Sequence, residues 1–517
     1  MSRQLEPINL VAPGFRGLNL SQEASILSGQ FATKAQNCVI DTAGRLAARA
    51  GYGVITTTEV TSTPDILTLH EYSDYSGNLE TIVAWDGGIG NDILDPEGND
   101  ISGAVTDADG TWWFQNFHDN CLGFQDGQKP IVYTGIGTFA TVTENSGTAP
   151  TSHRGIGLAA FGRIWAVDSD SQTIKYSALL DETRWATADG GGSIDMSSVW
   201  TDGTDRIVAL AAYNGQLLVF GNKHIIFYYD GAGSALGLDP ENIYVNDTVT
   251  GTGCVSQHTV QPIGETDLLF LSPNGVQSVS RLLNSGSSNP VRSRTKYVRN
   301  TLLADLTMLS DKDSLRSTYS PLFGFYLLTF PGSRTWCIDQ RFPFQDEEGD
   351  VLNIITEWTL APTAWLSDED HDVYLGVPGN VAQYALGYDD DDGSSYRFIY
   401  QSPWIELGEQ LADREKILKR IGAILYATNN ATISFKWSTD FRDTFRSLQR
   451  TVEADTDAEY GEAEFGIDEF GGTLALRIIK VPARDTGQYY RLAVEADITG
   501  QFAVQQLELF TKIGRIA

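Results

Sequence analysis

Five similar hairpins recur along the middle of the chain about every 50 residues, and no other feature of the sequence restricts the fold as strongly. Each is an apolar run, a tight turn and a second apolar run: 162–167 with 173–177, 215–220 with 224–229, 267–271 with 275–279, 324–330 with 335–338, and 372–376 with 381–384. Their starts at 162, 215, 267, 324 and 372 are separated by 53, 52, 57 and 48 residues. A four-stranded antiparallel sheet cannot bury both faces alone, so units of this length in series stack on one another, and radial stacking makes a β-propeller. Less regular hairpins at 79–85 and at 112–117, 121–124 and 131–133 extend the count to six to eight blades. The expectation is a propeller over 51–395. The alternative is a multi-sheet protein whose hairpins fall near this spacing by chance, because the repeats share a pattern but little identity.

The rest of the chain fits an all-β class. No helical stripe runs beyond about a dozen residues, and short apolar runs set off by Gly, Asp, Asn and Ser dominate. Beyond 395 the apolar runs lengthen, at 398–400, 417–426, 432–437, 473–479, 489–494 and 504–509, which predicts a β-sandwich and C-terminal tail over 396–517. Residues 1–50 carry a helix start near Ser21 and a second short segment from Gln30 to Ile40, and are expected to form an arm or cap on the first blade.

With 517 residues, 41% of them hydrophobic, the chain can bury a large core, so its acidity does not imply disorder. That acidity is nonetheless extreme: 67 Asp and Glu face 36 Lys and Arg, a net charge of -31. Such a surface repels phosphate, which argues against a sequence-reading DNA binder. The N-terminus lacks the order of a signal peptide. The longest nearly apolar run, 155–167, is too short for a bilayer and contains Arg163, so neither export nor membrane insertion is expected.

Sites of chemistry are sparse. Cys38, Cys121, Cys254 and Cys337 lie 83, 133 and 83 residues apart in apolar contexts and read as buried reduced thiols. His70, His118, His153, His224, His258 and His371 are scattered without zinc-site spacing. Carboxylates cluster at Asp346, Glu347, Glu348 and Asp350, at Asp368, Glu369, Asp370 and Asp372, and at Asp389 to Asp392 before Gly393. None has EF-hand spacing, and Asp389 to Asp392 read as a solvated turn, with cation binding the alternative. Segments 106–112 and 438–445 resemble the Asp-box hairpin turn, which speaks to folding. No P-loop, nucleophile elbow or dinucleotide fingerprint occurs. The reading is therefore a non-enzyme with no catalytic, cofactor-binding or metal residues and no cofactor. Basic residues concentrate at Arg292, Arg294, Lys296 and Arg299 and at Arg414, Lys416, Lys419 and Arg420. Eight carboxylates between Glu453 and Glu469 have no Lys or Arg among them. Such opposite patches either complement one another between copies or lie on solvated loops.

Several segments, in order, resemble the tail hub or nozzle proteins of short-tailed bacteriophages, the group of the P22-type DNA stabilization protein and the T7-type tail tubular protein B. They are Ala12-Pro-Gly-Phe15, Gly17-Leu18, Gln30-Phe-Ala-Thr33, Ala35-Gln-Asn37, Gly44-Arg-Leu46 and Arg49-Ala-Gly-Tyr52, then Gly162-Arg-Ile-Trp-Ala166, Ile174-Lys-Tyr-Ser177, Trp185, Ile207-Val-Ala-Leu210 and Gly215-Gln-Leu-Leu-Val-Phe220, then Leu269-Phe-Leu-Ser-Pro-Asn-Gly-Val276 and Lys512-Ile-Gly-Arg-Ile-Ala517. The resemblance implies a virion tail component, assembled in the host cytoplasm as a homohexameric ring at the head–tail connection. It further implies adaptor, portal, other tail proteins or tail fibres as partners, and double-stranded DNA held in the channel and released through it without sequence recognition. The chain is shorter than the T7-type nozzle, which implies reduced platform insertions. A glycan-binding or glycan-cleaving propeller and an isolated scaffold propeller are the alternatives.

Overall fold

A computed structural model describes residues 8–9, 14–105, 107, 110–201, 203–231, 238–264, 267–280, 293–406, 414–452 and 476–516. The chain is all-β, a propeller followed by a β-sandwich. Seven small antiparallel sheets succeed one another at 66–90, 113–141, 152–195, 207–250, 261–278, 316–358 and 364–384, and are numbered here as blades 1 to 7. Every hairpin expected from the sequence spacing lies within one of them. The tight turns are set by local chemistry. In blade 4, Asn214 and Gly215 both take positive φ, 47° and 72°, between the paired residues Tyr213 and Gln216, the two-residue turn whose twist matches the flanking strands.

Radial stacking is visible in the cores. Separate hydrophobic clusters fill the spaces between successive blades: Trp112 and Phe114 between blades 1 and 2, Phe124 and Ile164 between 2 and 3, Trp165 and Leu217 between 3 and 4, and Phe220 and Phe270 between 4 and 5. Trp358 and Tyr384 pack between blades 6 and 7, and Ile66 and Val381 between 7 and 1. The ring closes with a strand from the start of the chain. Tyr52–Val54 pairs with Asn380–Tyr384 as the outer strand of blade 7, so residues more than 300 positions apart share one sheet.

Residues 34–48 differ from the expected arm on the first blade. Cys38–Ile40 and Leu46–Ala48 join Phe502–Ile516, Arg414–Ala427 and Leu476–Gly487 in one sandwich sheet. Lys34–Gln36 lies in the other sheet, beside Tyr396–Gln401, Tyr489–Ile498, Ala431–Thr439 and Arg446–Val452. Its other edge pairs in parallel with Val351–Trp358 of blade 6, so blade and sandwich form one ten-stranded sheet. The helix expected near Ser21 does not form. Backbone amides there find tertiary partners instead: Leu18 donates to Ile355, Asn19 to Ala32 and Leu20 to Tyr297, which satisfies the chain without a local helix. No helix among the described residues is long and apolar enough to cross a membrane.

Candidate functional site

Two hollows mark where the fold leaves room for function. The first, about 560 Å³, lies among the first strands of blades 1, 2, 6 and 7 and the start of blade 5, at the propeller axis. Links between non-neighbouring blades cross this axis. Arg154 of blade 3 makes a two-pronged ion pair with Asp313, just before blade 6, and Ser256 donates to the same carboxylate at 3.1 Å. Arg316 of blade 6 reaches the Leu67 carbonyl of blade 1 at 3.1 Å.

The lining of this cavity is polar and aromatic. His70 meets the Asn116 side-chain oxygen at 2.9 Å, and burial pulls its pKa down to about 4. His258 stands edge-on to Trp113 at 5.2 Å and is also driven neutral, first by burial and then by Arg316 and Arg154. Trp113 spends its indole N–H on the Gly157 carbonyl. The buried indole nitrogen of Trp112 and the hydroxyl of Ser367, on two residues that line the cavity, have no hydrogen-bond partner among the described residues. Asp368 is the one carboxylate among the described lining residues, its pKa raised by burial and by Asp372 and Asp370.

The second hollow, about 400 Å³, lies where the sandwich meets blades 6 and 7. Its walls include Arg45, which lies 4.4 Å over the Tyr426 ring, and Arg341, which lies 4.8 Å over Phe325 and pairs with Asp339 at 2.7 Å. Beside it is the most heavily tied charge in the joint. The buried Arg49 guanidinium donates to both oxygens of Asp391 at 2.8 and 2.6 Å, to Asn37 at 3.2 Å and to the Ala50 carbonyl at 2.8 Å. It also lies 4.0 Å over the Tyr396 ring. Asn37, at φ 54°, in turn donates to the Arg397 carbonyl and accepts from the Thr359 amide. Gly51 sits so close to Asp390 that a Cβ would come within 1.8 Å of its carbonyl oxygen.

These positions explain several sequence signals. Asp389 to Asp392 are not simply a solvated run: Asp391 holds Arg49, Asp390 accepts from the Gly393 amide and Asp392 from the Val54 amide. The trio Asp346, Glu348 and Asp350 does converge, but Lys296 fills it, with its ammonium 2.8, 2.7 and 4.0 Å from the three carboxylates. Of the basic stretch around it, Arg294 pairs with Asp267 and Arg299 donates to Asn274, while Arg292 lies outside the described residues, as does the acidic block from Glu453 to Glu469. All four cysteines are buried and free, with burial pushing their thiols up. In the two Asp-box-like segments Asp107 accepts from the Gly110 and Gly87 amides, and Asp440 from those of Gln488 and Tyr489. The Arg49–Asp391 pair was not legible in the sequence, since its members are 342 positions apart.

No family model matches the chain, and no curated protein does. Among solved structures it is similar to the extracellular domain of a one-component system from B. thetaiotaomicron, at 11% identity and a TM-score of 0.36 over 88% of this chain and 63% of that one. BamB from Moraxella catarrhalis aligns at 10% identity and a TM-score of 0.35 over 74% and 97% of the two chains. The computationally designed Ika8 protein does so at 13% and 0.34 over 64% and 99%. The chain thus spans less than two thirds of the B. thetaiotaomicron domain. Similarities at this level carry no functional argument.

Proposed function

We propose that this chain is a structural, ring-forming component of a bacteriophage tail, a hub or nozzle subunit that surrounds the DNA channel, retains packaged DNA and lets it leave. The observation that carries this reading is the weld between propeller and sandwich. The segments that resemble the tail family, from Gly17 to Tyr52, supply the shared sheet, the Arg49 network and the closing strand of blade 7. A shared sheet and a buried ion network suit a part that must transmit load without hinging. Because Arg154 and Arg316 cross the propeller axis, DNA in this reading runs through an opening between copies. An acidic wall around that opening gives phosphates no deep trap. The reading assigns no catalysis: a glycosidase needs two carboxylates across its cleft, and the axial cavity offers Asp368.

Electron microscopy of the purified protein tests the proposal. Rings with a duplex-sized opening support it, and isolated propellers at every concentration refute it. A second reading, a glycan-binding propeller, draws on the axial cavity, where the Trp112 N–H and Ser367 hydroxyl lack partners among the described residues and the ring of Trp113 lines the wall. Calorimetry against neutral mono- and oligosaccharides decides it, with heat lost in a Trp113→Ala variant as the supporting result.

A further inference from the structure

Most of the acidic excess of this chain lies in its first part. Residues 1–395 hold 49 Asp and Glu against 21 Lys and Arg. Residues 396–517 are close to balance, with 15 Lys and Arg against 18 Asp and Glu, eight of these carboxylates lying between Glu453 and Glu469. Four of these bases, Lys419, Arg420, Lys480 and Arg484, are exposed on two paired strands of one sandwich sheet. Its last strand among the described residues, Leu476–Gly487, pairs only with Arg414–Ala427 and presents Leu476, Ile478, Lys480, Pro482 and Arg484 outward, while Val481 and Ala483 between them are buried. Ile478 is 74% exposed. Across the strand pair, Pro482 stands beside Arg420, which lies 4.9 Å over Phe510. Among the described residues Lys419, Arg420, Lys480 and Arg484 make no ion pair. An exposed edge of apolar and basic residues is a template for another strand unless something covers it.

A complementary surface exists on the propeller. The outer strand of blade 4, Ile243–Thr250, is also an edge, and it exposes Tyr244 and Val245 beside Tyr229. Its charges are of the opposite sign: Asp247 on the strand, with Asp239 and Glu241 just before it, and no Lys or Arg between 239 and 250. Arg163, which feels the charges of Asp239 and Glu241, spends its guanidinium on the Ser177 and Gly190 carbonyls.

We propose that the basic sandwich edge at Ile478, Lys480 and Arg484 docks on the acidic blade 4 edge at Glu241, Tyr244 and Asp247 of a second copy of this chain. The inference deepens the ring reading and rests on it. Two different patches meet, so the contact is head-to-tail, which closes into a ring or runs on as a filament according to its rotation. It also explains how copies so negatively charged associate. Like charges repel over most of their surfaces, and this pair of edges brings opposite charges together and fixes the register.

The test is a charge swap read by size-exclusion chromatography with light scattering. Lys480→Glu with Arg484→Glu, and separately Glu241→Lys with Asp247→Lys, should each reduce the assembly to monomer while leaving the circular dichroism and melting of the fold unchanged, since all four sites are exposed. Combining the four substitutions in one chain should restore assembly, and wild-type assembly should weaken as salt rises. Wild-type rings that persist unchanged in both swapped variants overturn this contact and leave the ring reading standing. A wild-type chain that stays monomeric at every concentration overturns both.

Discussion

Replacing Arg49 with Ala should loosen the joint between propeller and sandwich more than any exposed substitution. The side chain is buried, its partner Asp391 is 17% exposed, and the pair is bidentate. Breaking a buried pair by removing one member costs about 3–5 kcal/mol, because the remaining charge stays in the protein without compensation. Loss of the stacking on Tyr396 at 4.0 Å adds about 1 kcal/mol. Asp391 keeps some access to water, so a net cost of about 4 kcal/mol is expected. Urea unfolding followed by tryptophan fluorescence reads it, and limited trypsin digestion should show cleavage after Arg45 in the variant under conditions that leave the wild type intact. A double-mutant cycle isolates the pair: Arg49→Ala, Asp391→Asn and the double variant should give a coupling of about 2 kcal/mol or more. Arg49→Lys should recover less than half the loss, since an ammonium cannot span both carboxylate oxygens, Asn37 and the Ala50 carbonyl together. As a control, Arg397→Ala should cost less than about 1 kcal/mol, because its side chain is 51% exposed. A cost below about 1 kcal/mol for Arg49→Ala, or additive single effects, would refute the argument that this network welds the joint.

Acid should weaken the propeller before its surface carboxylates titrate. His70 has a folded pKa of about 4, below the ordinary value of 6.5, and burial also holds that of His258 well below its ordinary value, so between pH 6.5 and 4 the unfolded chain binds more protons than the folded one. Stability is full above pH 6.5 and falls as pH drops through this window. The His70 share reaches about 3 kcal/mol, lessened by water at its open side, and a flat melting temperature from pH 7 to 4.5 would contradict it. Gly51→Ala should give a chain that folds poorly or not at all, judged by soluble yield, because its Cβ would overlap the Asp390 carbonyl. Lys296→Met should destabilise the native state by about 3 kcal/mol, as Asp346 is left buried without its counter-charge. Millimolar Ca²⁺ should return part of that loss in the variant and do nothing for the wild type, measured as a shift in melting temperature.

The hairpin spacing made the propeller legible because each blade is a local object. Its strands are neighbours in sequence, its turns are short, and residues such as Asn214 and Gly215 mark those turns directly. The sandwich strands were legible for a related reason, since the long apolar runs at 417–426 and 489–494 announce themselves wherever they pair. Residues 34–54 were not. Their strands are three residues long, too short for periodicity to register, and three of the four pair with a strand hundreds of positions away, while Cys38–Ile40 pairs with Leu46–Ala48. The same limit applied to the candidate sites. His70, Trp113 and His258 looked scattered along the chain, and only the radial stacking of blades brings them around one axis. The cluster of Asp346, Glu348 and Asp350 was visible as a carboxylate-rich turn, but its occupant, Lys296, comes from another element 50 residues earlier.

By itself the sequence determined that this chain is all-β, that its blades repeat at a near-constant length, and that its charge lies far from neutrality, since composition, turn chemistry and periodicity are properties of short stretches. The tertiary structure alone decided that seven blades close into a ring, that an early strand completes the last of them, and that blade 6 continues into the sandwich as one sheet. It also decided where charge falls. Arg49 and Lys296 are consumed inside the fold, whereas Lys480 and Arg484 remain on an open edge. The physical reason is that closure and pairing join residues distant in sequence, whose meeting depends on the shape of the whole chain and on no single segment's preference.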